Sequence, residues 1–156
     1  MNGKDSSESV RREYKYLCNI LSGFKPEHAD FAPCPGMMTV AQQINHIAQT
    51  VYWFREGAFG GGFDLDFGKM EAANRRQMTL SEALGELETQ YTDYAAFLET
   101  LSETDLNAPM PDNPLFGAAP RHAALAAQCD HTAHHRGALS VYLRLLGIVP
   151  VMVYQE

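Results

Sequence analysis

The placement of proline and glycine constrains the fold of this chain more than any other feature. Four long stretches keep proline out of their interiors and repeat apolar residues every three or four positions, which is helical spacing: residues 6–22, 39–58, 79–101 and 120–147. Clusters of proline and glycine separate these stretches, and none of them shows the alternation of a β-strand. We therefore predict an all-α fold, a four-helix bundle.

Capping patterns locate the ends of the predicted helices. Thr39 with Gln42, and Thr79 with Glu82, have the spacing of capping boxes at helix N-termini. Pro120 suits the first turn of the fourth helix, which Gly147 ends. Residues 60–78 are expected to be irregular and residues 102–119 to form a loop, and these longer connections allow a crossover topology as well as an up-and-down one.

Length and charge narrow the class of protein. The 156 residues indicate a single domain over 1–156, and the net charge of −7 with no basic stripe argues against nucleic-acid binding. No apolar run reaches the ~18 residues of a membrane span, and the polar N-terminus lacks a secretory signal. Three cysteines without close spacing favour free thiols. We expect a cytoplasmic protein that binds neither membrane nor nucleic acid.

Two histidines of the fourth predicted helix have metal-ligand spacing. His131 and His135 are one turn apart, so both imidazoles lie on one helix face. Arg136, Ser140 and Arg144 mark the solvent side of this helix. Relative to Ser140, His131 points about 180° away, and His134 falls about 60° to one side of that inward direction. The inward group within about 40° of His131 is then Ala124, His135, Ala138, Tyr142 and Leu145. This pair is either a metal site or two core histidines bonded to other polar groups.

A third ligand and a pocket would have to come from other residues. His46 lies on the flank of the second predicted helix beside Thr50 and Trp53, a position that suits either a pocket rim or a half-exposed histidine. Trp53 is a candidate pocket wall or a core aromatic. Tyr142, two turns beyond His135, is a candidate hydrogen-bond donor to a ligand or a core tyrosine.

Motifs around these histidines resemble those of the DinB/YfiT-like family. They are Asn45-His46-Ile47-Ala48 followed by Trp53-Phe54, the run His131-Thr132-Ala133-His134-His135-Arg136-Gly137, and the ending over residues 138–150. The resemblance covers essentially the whole chain, although many relatives have glutamine in place of Ala138. It implies a bundle with crossover connections and a metal site formed by His46, His131 and His135.

The resemblance also implies a range of functions. The metal is one divalent ion, zinc or nickel ahead of iron or manganese, and homodimers are frequent. Some members of the superfamily transfer groups with a low-molecular-weight thiol. Two hypotheses follow, a metal-dependent enzyme of the thiol S-transferase or hydrolase type acting on a small molecule, and a metal- or small-molecule-binding bundle without turnover, with a role in stress.

Overall fold

The fold is all-helical, as predicted. The structure, a computed structural model, describes residues 2–155, and over that range it contains six α-helices, one short 3₁₀ turn and no strand. The helices are α1 (Gly3–Leu21), α2 (Val40–Phe59), α3 (Phe67–Asn74), α4 (Leu80–Glu99), α5 (Glu103–Asn107) and α6 (His122–Leu145), with the 3₁₀ turn at Pro26–His28.

Local hydrogen bonds explain where the long helices begin and end. Both predicted capping boxes are confirmed: the side chains of Thr39 and Thr79 each accept a bond from the main-chain N–H of the third helical residue, and their own main-chain N–H groups donate to that residue's side chain. At the end of α6, the N–H of Ile148 donates to the carbonyl of Leu143 while Gly147 has a φ of 78°. This is a Schellman ending, which favours glycine because other side chains rarely adopt positive φ.

The four long helices pack in a ring. α1 contacts α4 and α6, and α2 contacts the same two helices, so α1 and α2 lie diagonally across the core. The chain therefore crosses the structure between α1 and α2, and again between α4 and α6. The apolar residues that repeat every three or four positions along α2 are all buried: Val40, Ile44, Ile47, Val51, Phe54 and Ala58.

Two predictions for the connecting segments were wrong. The stretch 60–78 contains α3, whose N-cap Asp66 accepts a bond from the Lys69 N–H. The stretch 102–119 contains α5, which opens with a capping box and buries Leu106. Both helices are short and bury one residue each, so their sequences carry little helical periodicity.

The buried face of α6 also differs from the prediction. Leu145, expected to point inward, is 59% exposed, whereas Thr132, Leu139 and Leu143 are buried. With about 100° of rotation per residue, the centre of the buried face lies about 70° around the helix from the predicted direction. Ser140, at the centre of the predicted solvent side, is itself half-buried, which accounts for the difference. His135 is therefore closer to the core than His131.

Among residues 2–155, none of the helices combines the length and the apolar character needed to cross a lipid bilayer.

Candidate metal centre

Three histidine side chains meet where α2 packs against α6. The ring centroid of His46 lies 5.0 Å from that of His131 and 4.6 Å from that of His135, and the two rings from α6 are 4.5 Å apart. One nitrogen from each ring lies within 4.8 Å of the others. The predicted trio is thus brought together by the fold, while His134 is exposed.

Burial keeps these imidazoles in the neutral form that binds metals. Removal from water lowers the pKa of His131 to about 4 and of His135 to about 3, and the neighbouring histidines add to the effect. Burial also lowers the pKa of His46, against the opposing influence of the Asn74 side chain. At neutral pH each ring therefore carries a free lone pair for an ion.

The donor set fits a divalent cation. His46 Nδ1 and His131 Nδ1 are buried without a hydrogen-bond partner, a state that costs on the order of 1–3 kcal/mol per group unless another interaction replaces the bond. A tetrahedral ion with bonds of about 2.0–2.1 Å would place its ligand nitrogens roughly 3.4 Å apart. The three nitrogens lie within 4.8 Å of one another, so binding would need only a small closure of the rings.

His135 is held by polar groups on its other side. Its Nδ1 lies 2.6 Å from Gln43 Oε1, and Gln43 Nε2 donates to the hydroxyl of Tyr142 at 3.3 Å. That hydroxyl donates to the main-chain carbonyl of Met38 at 3.0 Å. The sequence made Tyr142 a candidate hydrogen-bond donor to a bound ligand, but its hydroxyl proton is already used in the bond to Met38.

The helix α3 completes the surroundings of His46. Asn45 Nδ2 donates to the carbonyl of Ala73 at 3.1 Å, and Gln42 Nε2 donates to that of Arg75 at 2.9 Å. These bonds hold the end of α3 against α2, where Asn74 is buried beside His46 with its Oδ1 unpaired. No pattern in the sequence pointed to Asn74, because it lies in the stretch expected to be irregular.

A pocket of about 140 Å³ reaches the cluster from the side of His46. Thr50 and Trp53 lie in its wall, together with residues of α3. The Thr50 hydroxyl donates to the His46 carbonyl at 2.8 Å, and the Trp53 indole N–H donates to the Asp64 carbonyl at 2.7 Å. The pocket is smaller than the roughly 300–1,000 Å³ of sites for drug-sized ligands, so it suits a small chemical group.

The loop after α2 packs onto that helix through a close contact at Gly57. A Cβ at Gly57 would collide with the ring of Phe63, which itself packs 4.6 Å from Trp53, centroid to centroid. Glycine at this position thus permits the loop to lie directly on α2.

A second polar cluster is buried between α1, α4 and α6. Glu13 accepts bonds from the Tyr91 hydroxyl and from Gln128 Nε2, each at 3.3 Å, and from the thiol of Cys129 at 3.2 Å. Burial raises the pKa of Glu13, although these hydrogen bonds oppose the shift.

Cys18, Cys34 and Cys129 are free thiols.

Comparisons with known proteins agree with this architecture. A model of the DinB superfamily matches residues 9–139. The protein YjoA of Bacillus subtilis (strain 168) is 25% identical over 132 residues, which cover 83% of this chain and 81% of YjoA. The crystal structure of the DinB-like protein YjoA from Bacillus subtilis superposes with a TM-score of 0.71 at 18% identity, covering 97% of this chain and 98% of that one. At that identity the structural likeness shows the fold alone.

Proposed function

The chain belongs to the DinB superfamily, and from that premise we propose that it binds one divalent metal ion through His46, His131 and His135. The observation that carries the proposal is the convergence of three imidazole nitrogens within 4.8 Å. The two unpaired Nδ1 atoms support it, because a buried lone pair or N–H without a partner is rare in native proteins.

The chemistry of the donors limits which metal is expected. Three imidazoles suit zinc, nickel or iron better than the hard ions that prefer oxygen ligands. We propose zinc or nickel first, then iron or manganese. None of the three ligands carries a negative charge, so the site favours an anionic partner such as hydroxide or thiolate.

We further propose that the site is catalytic, of the thiol S-transferase or hydrolase type, with a small-molecule substrate. Three protein ligands leave a tetrahedral ion one open position, which is typical of catalytic and not of structural sites. When bound, the ion would supply Lewis acidity to a water or a thiol. The pocket at His46 supports access by a small molecule, and Trp53 and Thr50 would form its walls.

A non-catalytic metal- or small-molecule-binding role is the second candidate, because the pocket is small. We also propose that the fold is a four-helix bundle with crossover connections, which the diagonal placement of α1 and α2 supports. We further propose that the protein is a homodimer and is located in the cytoplasm.

The test of metal binding is elemental analysis of protein purified without a histidine tag. We expect close to one ion per chain, lost in His46→Ala, His131→Ala and His135→Ala. His134→Ala is the matched control, since this exposed residue adjoins His135 and should keep the ion. Equal loss in all four variants would contradict the ligand assignment.

The reaction requires a separate screen. Metal-loaded protein would be tested against electrophilic and hydrolysable small molecules with and without low-molecular-weight thiols. Turnover that requires a thiol would support the S-transferase type, and thiol-independent turnover the hydrolase type. Absence of turnover by a protein that holds its ion would favour the binding role.

A further inference from the structure

The hydrogen bonds beyond His135 have a direction that the main chain imposes. The carbonyl of Met38 can only accept, so the Tyr142 hydroxyl uses its single proton there. Toward Gln43 the same hydroxyl must then accept, and the side-chain NH₂ of Gln43 is the donor that faces it. This places Gln43 Oε1 at the other end of the amide, 2.6 Å from His135 Nδ1.

The orientation of the Gln43 amide also decides which nitrogen of His135 carries the proton. An amide oxygen has no proton to give, so His135 Nδ1 must be the donor of this bond. A neutral imidazole protonated on Nδ1 carries its lone pair on Nε2. The orientation of the Gln43 amide, ambiguous when taken alone, is thus decided by the fixed carbonyl of Met38, which lies on the far side of the Tyr142 hydroxyl.

We propose that Gln43 is a positioning residue that holds His135 in the Nδ1–H tautomer, so that Nε2 is presented to the metal ion, and that Tyr142 orients Gln43 for this task. The inference rests on the proposed metal site. All three side chains are buried, at 6% exposure for Gln43, 7% for His135 and 1% for Tyr142, which shields their bonds from competition with water.

The location of Gln43 couples the two helices of the site. It precedes His46 by three residues on α2, so both side chains lie on one side of that helix, while its amide reaches across to α6. Metal-binding histidines generally donate their second N–H to such a partner, and loss of the partner typically weakens metal binding about 10–100-fold.

The test combines metal affinity with the tautomer of His135. Affinity of the full-length, tag-free protein for Zn²⁺ would be measured by competition with a chromophoric chelator, and the ring ¹⁵N shifts of His135 by NMR in the metal-free protein. We expect Gln43→Leu to weaken Zn²⁺ binding about 10–100-fold and to abolish the exclusive Nδ1–H tautomer. Gln43→Glu keeps an acceptor oxygen and should retain the tautomer and bind Zn²⁺ more tightly than Gln43→Leu.

Two further variants guard against general effects on folding. Tyr142→Phe removes only the hydroxyl and should produce a smaller loss of affinity with mixed tautomers. Gln90→Leu makes the same substitution at a half-buried glutamine of α4 and should change neither readout. Unchanged affinity and unchanged tautomer in both Gln43→Leu and Tyr142→Phe would overturn the proposal.

Failure of metal binding can be distinguished from failure of the role proposed for Gln43. If the unmodified protein binds none of the metals tested, the metal site is wrong, and the role of Gln43 as the partner of His135 is judged on the tautomer alone. An Nε2–H tautomer in the metal-free protein would refute that role whatever the metal result.

Discussion

Binding of an ion to three neutral histidines should stabilise the folded chain by an amount that can be calculated. At a free metal concentration 100 times the dissociation constant, a ligand that binds only the folded state contributes about 2.7 kcal/mol. For a chain of 156 residues, each kcal/mol raises the melting temperature by about 2–4 °C. We therefore expect the melting temperature to rise by roughly 5–11 °C over the metal-free protein.

His135→Ala is the most informative perturbation of this effect. It removes one ligand and leaves Gln43 Oε1 buried without its partner, which costs about 1–3 kcal/mol on its own. The metal-free variant should thus melt roughly 2–12 °C lower than the unmodified protein, and most of the metal-induced rise should disappear. His134→Ala alters an exposed side chain, so its stability should stay within about 0.5 kcal/mol and its metal response should be unchanged.

The assay is differential scanning calorimetry of tag-free, metal-free protein titrated with Zn²⁺ and, separately, with Ni²⁺. The rise in melting temperature should grow with the logarithm of metal concentration above the dissociation constant. The reasoning would be refuted by an equal rise in His135→Ala and the unmodified protein, or by a rise that is lost as fully in His134→Ala.

Three other predictions concern the buried groups and the loop that follows α2. Since burial lowers the pKa of His131 to about 4 and of His135 to about 3, only the unfolded chain binds protons at these rings as the pH falls from the ordinary value of about 6.5. Urea unfolding of the metal-free protein should therefore show a loss of stability already between about pH 6.5 and 5, above the usual range of carboxyl groups, and a flat profile there would contradict the assignment. Burial raises the pKa of Glu13, so ionising this carboxyl group destabilises the folded protein once the pH rises above the ordinary pKa value. Glu13→Gln should therefore increase the free energy of unfolding more at pH 7 than at pH 4. A difference between the two proteins that does not change with pH would contradict this. Gly57→Ala should destabilise the protein by about 1–3 kcal/mol because its Cβ meets the Phe63 ring. In a Phe63→Ala background the same change should be neutral or stabilising, and a penalty that persists there would show that the collision is not the cause.

Local sequence was sufficient for the four long helices and for one pair of candidate ligands. Capping boxes at Thr39 and Thr79 involve residues three positions apart, so their hydrogen bonds depend little on the rest of the fold. The spacing of His131 and His135 likewise needs only one helix to place both rings on one side. The shorter helices α3 and α5 were not predicted, because brief helices have too few turns to show a periodic pattern.

Tertiary structure decided everything that depends on how the helices pack. The sequence placed His46 at the edge of an apolar face, and a family resemblance made it a candidate ligand. Its approach to His131 and His135 results from the packing of α2 against α6. The rotation of α6 that exposes Leu145, the end of α3 beside His46 and the contact of Gln43 with His135 share this origin. Residues 28 to 92 positions apart meet only after the core has formed, and no local pattern in the chain encodes those contacts.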